Sequence, residues 1–228
     1  MDWQALGLTL RLAAVTTALL LALSVPLAFW LVSTRSRLRP LVEALTTLPL
    51  LLPPTVLGFY LLVLMGPRTP VGRAWIALTG HPLAFSFSGL VAGSILYSLP
   101  FAVQPLTAGF AAVDPALLEQ ARLLGAGRWR ILREVLLPLS VRSVVTAAVL
   151  AFTHTVGEFG VVLMIGGDIP GSTRTLSIVI YDQVQSFAYA EANRTALMLV
   201  VVALAGLIAL SMLQRTTWLA PSAEVRRD

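Results

Sequence analysis

The sequence predicts an all-α polytopic membrane protein, one domain over residues 1–228 with a core of about 8–214, built from about five membrane-spanning helices, or six. Three observations predict it. Of the 228 residues, 57% are hydrophobic and only 12% are charged, far from the balance of a water-soluble domain. Several stretches of about 20 residues carry no charge, the length an α-helix needs to cross the hydrocarbon core. These runs are too long and too evenly apolar for barrel strands, and only helices otherwise satisfy their backbone in lipid.

The first span covers Leu8–Leu31. "ALSVPLA" within it looks loosely like a signal-cleavage site, yet no basic n-region precedes it and the run continues through Phe29, Trp30 and Leu31 as a span does. The second, Val42–Met65, contains Pro49, Pro53 and Pro54, and the third, Ser86–Phe110, contains Pro100 and Pro105. Each proline removes a backbone donor and bends its helix. The freed carbonyls must then be met by neighbouring helices or by water. Two readings stand: the kinks shape packing, or the broken helices line a pathway and its gate, with Pro53, Pro54, Gly58 and Pro100 as candidates. The fourth span, Leu139–Val161, places His154 and Glu158 four residues apart on one helix, within hydrogen-bonding reach. An ionisable residue in a span is a candidate functional residue by default. Glu158 falls near the outer end, roughly 30 Å past Pro138 along a straight helix. The fifth span is Thr195–Leu213. Ahead of it, "IGGDIPGSTRT" supplies turn residues, and "TLSIVIYDQVQSFAYAEA" predicts an amphipathic helix at the outer interface.

Arginine orients the bundle, for all sixteen basic side chains are arginine. Eleven fall on one side: Arg35, Arg37 and Arg39 in the first loop, Arg122, Arg128, Arg130, Arg133 and Arg142 around the central polar segment, and Arg215, Arg226 and Arg227 in the tail. Five fall on the other: Arg11, Arg68, Arg73, Arg174 and Arg194. The positive-inside rule then predicts an outside N-terminus and a cytoplasmic C-terminus. The arginines sit in short loops and form no long basic face, so nucleic acid is not an expected partner. Without cysteine, disulfides, thiolate metal sites and cysteine nucleophiles are excluded. Two scattered histidines argue against a metal centre or acid–base catalysis.

The polar segment at 114–138, "DPALLEQARLLGAGRWRILREVLLP", interrupts this apolar pattern. Asp114 suits an N-cap and Pro115 the first helical position. A helix over Ala116–Leu124 puts Leu117, Ala121 and Leu124 on one face, with Glu119 and Arg122 opposite and able to pair. Gly125 stands where a left-handed residue ends a helix, and a second helix starts near Gly127, carries Arg128, and runs toward Pro138. A basic connector touching anionic headgroups explains the arginines. It leaves Glu119, the two glycines and the short helix unexplained.

Glu119-Gln120-Ala121, three residues, Gly125, nine residues, then Val135-Leu136-Leu137-Pro138 resembles the EAA motif of permease subunits of ABC-type importers, with Gln120 and Val135 as mild departures. The likeness extends over essentially the whole chain. "LPLLLPPTVLGFYLLVLMG", "LGAGRWR", "HTVGEFG" and "IPGSTRT" are similar to segments of molybdate permeases, the ModB family, whereas the sulfate/thiosulfate permeases share Gly157–Gly160 but generally lack so close a "LPPTVLGFYLL". The resemblance implies a type I ABC importer transmembrane domain with 114–138 as a cytoplasmic coupling helix. Glu119, Gln120, Ala121, Gly125, Gly127 and Arg128 would then contact the ATPase. It implies two copies of a cytoplasmic ABC ATPase subunit holding ATP and Mg, an extracytoplasmic oxyanion-binding protein, a second copy of this chain, and molybdate as cargo, with tungstate as a companion and sulfate as the alternative. The chain itself has no phosphate-binding loop and no lysine to complete one, so no cofactor is expected on it. Because a glutamate exposed to the pore would repel an oxyanion, structural hydrogen bonding or docking to the outer subunit is the favoured role for Glu158, with gating as the alternative. A stand-alone secondary transporter is the rival of another class; it calls for inverted repeats or several buried ionisable groups. The expected location is a bacterial or archaeal cytoplasmic membrane, crossed several times, with lipid around the spans.

Overall fold

In the computed structural model, which describes residues 2–216, three helices form the centre: α1 (Trp3–Ser33), α5 (Phe87–Ala111) and α9 (Val141–Val156). α1 and α5 run parallel. Leu12 packs beside Leu90 at one end, and Leu20 and Ala28 meet Ala102, Leu106 and Phe110 toward the other. α9 runs against both, contributing Ala147 and Ala151 to the same cluster. Apolar side chains gain little by leaving lipid for one another, so the association rests on close packing, which small residues permit. Ala28, Ala102, Ala147 and Ala151 are fully buried, and a Cβ at Gly109 would collide with Ser143.

Where a regular span was predicted over Val42–Met65, the chain forms α2 (Arg39–Leu51) and α3 (Pro54–Leu64), bent by 114°. Leu52 and Pro53 are extended at the joint, as the residue before a proline must avoid the helical region. The predicted fourth span also breaks. α9 stops at Val156, Gly157–Phe159 is non-helical, and α10 (Gly160–Gly166) follows. By contrast α5 stays continuous through Pro100 and Pro105, so that span is not broken. α12 (Tyr189–Thr216) is the last span. By length and composition the described residues hold three helices able to cross a membrane, and up to five if each bent pair counts as one.

Two elements lie outside the regular spans at the end where α1 starts. α4 (Pro70–Thr79) was not foreseen; Thr69 caps it by accepting from Gly72 N at 3.0 Å. α11 (Leu176–Gln185) is the first part of the predicted amphipathic helix, which ends at Ser186 before Tyr189 opens α12. It buries Leu176, Ile178 and Val179 against the bundle, and Thr9 of α1 accepts from Leu176 N at 2.9 Å. It is therefore a packed part of the bundle and not a loose interfacial helix.

The arginines segregate as the loops suggested. Arg35, Arg39, Arg122 and Arg128 surround one cavity at the end of α1, while Arg174 lies with Asp2 at its start. Arg226 and Arg227 lie outside the described residues.

A close contact also joins the two half-helices. A Cβ at Gly58 would stand 2.8 Å from Met164 Cβ and 3.2 Å from Val161 Cα, and one at Gly160 would stand 2.6 Å from Pro54 Cβ. Gly58→Leu should therefore cost about 1–3 kcal/mol through overpacking and lower the thermal unfolding temperature in detergent. Gly7→Leu, where nothing lies within 4 Å, should leave it unchanged.

Candidate functional site

The central polar segment folds largely as its residues dictate. α6 (Pro115–Leu123) opens on Asp114, whose Oδ1 accepts from Ala116 N at 2.9 Å. Its end is a Schellman closure: Ala126 N donates to Ala121 O at 3.0 Å and Gly125 N to Arg122 O at 2.9 Å. Gly125 adopts φ +81° with open space around it, so its conformation, not crowding, calls for glycine. Gly127 is extended at the start of α7 (Arg128–Ile131) and meets nothing within 4 Å; neither reason applies to it. A π turn over Leu132–Leu136 and the short α8 (Leu137–Leu139) complete the segment, which meets α9 at a bend of 80°. Pro138 lacks the N–H that would continue the regular ladder, and the widened turn precedes it.

Nothing in α6 is fully buried. Leu118 and Ala121 rest on the core while Leu117 and Leu124 face out, so the predicted Leu117–Ala121–Leu124 face is divided: Leu124 is 87% exposed. Glu119 and Arg122 do not form the predicted pair. The pairing in this region is Arg130 Nε with Glu134 Oε2 at 2.9 Å. Glu119, Gln120, Arg122 and Arg128 are thus presented outward on a rigid stub. Ser140 Oγ anchors its base by donating to Gly109 O at 3.2 Å.

The second region is a cavity of about 560 Å³ between the half-helices, lined by Pro54, Thr55, Tyr97, His154, Glu158 and Met164 among others. His154 and Glu158 do not share a helix, because α9 ends between them, and they do not hydrogen-bond. His154 Nδ1 lies 2.9 Å from Ser98 Oγ, which lies 3.1 Å from Thr155 Oγ1. Thr155 donates its proton to Ala151 O at 2.8 Å, so Ser98 donates to Thr155 and accepts from His154 Nδ1–H. The imidazole also stacks on Phe101 with centroids 4.0 Å apart.

Glu158 is 3% exposed, and neither carboxyl oxygen has a hydrogen-bond partner among the described residues. Its backbone is held: Ser177 Oγ donates to Glu158 O at 2.6 Å. Ser94, the polar group beside it, has a hydroxyl equally without a partner. The expected bond to His154 does not form; the polar group nearest the carboxyl is the Ser94 hydroxyl, and in this structure the carboxyl is buried within the chain.

Of the five pathway candidates, Pro54 and Glu158 line the cavity. Pro53 sits exposed at the joint, Gly58 is covered by α10, and Pro100 is buried within α5. Sequence reasoning passed over Ser94, Ser98 and Tyr97. The available signal was two hydroxyls one turn apart on an otherwise apolar span. At the end of the bundle where α1 starts, Arg174 holds Asp168 through both guanidinium and carboxylate arms, Nη2 to Oδ2 at 2.8 Å, and this hydrogen bonding keeps the guanidinium above its ordinary range.

Comparison with known proteins places this architecture. Residues 14–224 match the family described as binding-protein-dependent transport system inner membrane component. The chain is 53% identical over 192 residues to the molybdenum transport system permease protein ModB of Azotobacter vinelandii, covering 84% of this chain and 85% of that one. It is 34% identical over 204 residues to ModB of Escherichia coli strain K12, covering 90% and 89%. A chain of the bacterial alginate ABC transporter, solved with alginate pentasaccharide-bound periplasmic protein, shares the fold with a TM-score of 0.75 at 20% identity, over 94% of this chain and 78% of that one. The class is thus a multi-pass inner-membrane permease subunit of a binding-protein-dependent transport system. Within that class, the chain belongs to the ModB family of molybdenum transport system permeases.

An unpartnered buried carboxyl costs stability and is retained where it serves another purpose. Glu158→Gln should leave the unfolding temperature unchanged or raise it, while transport falls severalfold. A clear loss of stability would show instead that the carboxyl has a structural partner.

Proposed function

We propose that two copies of this chain form the membrane pathway of an ATP-driven importer for molybdate, with tungstate as a companion cargo, and that α6 is its coupling helix. The cargo follows from the molybdenum permeases that the chain matches over more than four-fifths of its length. The observation that carries the coupling role is the outward-facing stub. α6 buries none of its residues fully, yet is fixed at both ends by Asp114 and by the closure at Gly125. A short helix of nine residues, about 13 Å long, presents a small shaped surface to a partner. That partner is a cytoplasmic ATPase subunit, in two copies, which holds ATP and Mg. Glu119 is the charged contact, Ala121 lets the helix sit close against the bundle, and Gly127 with Arg128 opens the second arm. Closure of the two ATPases would push both stubs together and rotate the bundle halves about the bends at Leu52–Pro53 and Gly157–Phe159.

On the opposite face, an oxyanion-loaded binding protein delivers cargo. The cavity beside Glu158 offers no cluster of arginines to trap an anion. A pathway that binds weakly lets the ion leave, so selectivity rests with the binding protein. Glu158 acts at the gate, its carboxyl shielded from the anion in this conformation.

Coupling is tested in the reconstituted complex. Gly125→Ala, which costs about 1–2 kcal/mol at a left-handed position, should weaken molybdate-stimulated ATP hydrolysis, and Gly125→Trp should abolish it while the bundle still assembles. Unchanged stimulation in Gly125→Trp overturns the coupling role. Stimulation by a sulfate-loaded binding protein, with none by the molybdate-loaded form, overturns the cargo.

Orientation is tested separately, because a chain without cysteine accepts single reporters. Ser172→Cys should label from outside intact cells, and Ser36→Cys and Gln120→Cys only after permeabilisation. The reverse pattern overturns the outside N-terminus.

A further inference from the structure

At the end of α1, a cavity of about 820 Å³ opens between α1, the start of α2 and the docking segment. Its wall contains Arg35, Arg39, Arg122 and Arg128 and no carboxylate. Arg39 Nε is bonded to Glu43 Oε1 at 2.7 Å. Arg35, Arg122 and Arg128 have no acidic partner among the described residues. The rest of the wall includes Phe29 and Trp30. An indole near a span's end is the usual interfacial anchor, half apolar and half polar.

We propose that this cavity binds the phosphate headgroup of an anionic phospholipid from the cytoplasmic leaflet, an assignment that rests on the orientation given above. Guanidinium forks match phosphate oxygens in pairs, and basic pockets between spans on the cytoplasmic side suit such headgroups. The room favours a headgroup over a bare oxyanion, because the volume falls in the range of pockets for drug-sized molecules. A route for the acyl chains adjoins it. α2, which supplies Arg39, and its N-cap Leu38 present Leu38, Leu41 and Leu45 at helical spacing, all more than half exposed. The bound lipid would tie the end of α1 to the docking segment through Arg35 on one side and Arg122 and Arg128 on the other. The docking stub would then depend on the charge of the leaflet it sits against.

The test uses the full-length chain, purified in detergent and examined by native mass spectrometry, then titrated with phosphatidylglycerol in phosphatidylcholine nanodiscs. The wild type should retain phosphatidylglycerol and prefer it to phosphatidylcholine. Each arginine near a charged lipid surface contributes about fivefold; Arg35→Gln should weaken binding by about that factor, and Arg35→Gln with Arg122→Gln by about 25-fold. Arg35→Lys, which keeps the charge but loses the fork, should weaken binding less than Arg35→Gln does. Arg68→Gln, at the opposite end, should change nothing and reports that the fold tolerates loss of an arginine. Equal binding of both lipids, or binding indifferent to the arginine changes, overturns the site. Displacement of the lipid by inorganic phosphate or molybdate at low concentration overturns the lipid assignment in favour of a free-oxyanion site. These readouts involve no ATPase, binding protein or transport, so they stand or fall apart from the importer reading. Reporter labelling at Ser36→Cys separately fixes the leaflet.

Discussion

The contact between α3 and α10 is the constraint on which the rest of the membrane bundle depends. Each is a half-helix that follows a break, and neither has the length to span a bilayer alone. Irregular backbone at membrane depth is tolerated only where protein covers it or it lines a cavity. Here both conditions are met at once. Gly58 admits Val161 and Met164, Gly160 admits Pro54, and the two joints lie over the cavity that contains Glu158. A methyl group at either glycine would separate the half-helices, and the covering of both breaks would be lost together.

The docking segment obeys a different rule. Its backbone ends are closed locally: by Asp114 at one end, by the Ala126–Ala121 and Gly125–Arg122 bonds at the other, and by Ser140 on Gly109 at the base. These bonds fix a helix that has almost no core of its own. In the proposed coupling role, a stub held this way would pass displacement to α5, which precedes it directly, and to α9 through α7 and α8. The central helices α1, α5 and α9 interlock through alanines and buried leucines, so in the proposed cycle they would tilt as a unit. The breaks at Leu52–Pro53 and Gly157–Phe159 are the positions where such a tilt is absorbed with least loss of packing.

How much of this was legible in the sequence differs between the two regions. The docking segment was legible nearly in full, since capping, the left-handed glycine and the proline stop are local properties of Asp114, Gly125 and Pro138. Its facing was not. Leu118 rather than Leu117 meets the core, because Ile131, Leu132 and Leu136 of the returning chain decide that side. The three regular spans were legible from hydropathy alone. The break at Gly157 was not, because nothing in "HTVGEFG" forbids a helix as proline does. It follows from Ser177 engaging the Glu158 carbonyl, a contact across nineteen residues of chain. The assignment of Glu158 to a hydrogen bond with His154 failed for that reason. A spacing of four means proximity only if the helix continues between the two residues. α4 went unforeseen because it is short and rests on Trp75 packing beneath Leu83 and Met65, a tertiary effect.

The burial of Glu158 bears directly on how an anion pathway can work. A carboxylate facing the cargo would repel it, and a ring of arginines there would hold it too long. The described residues around the cavity avoid both: the carboxyl is turned into protein, and the polar groups in reach are neutral hydroxyls and an imidazole fixed by Ser98. The missing hydrogen bonds of Glu158 and Ser94 are therefore a cost carried in one conformation. In the proposed cycle, rotation of α10 about Gly157, where the backbone is already free of the helix ladder, would relieve it. Four arginines, which an anion would otherwise seek, line the separate cavity at the far end of α1. That separation leaves the cavity beside Glu158 without arginine and keeps that positive charge at the other end of the bundle.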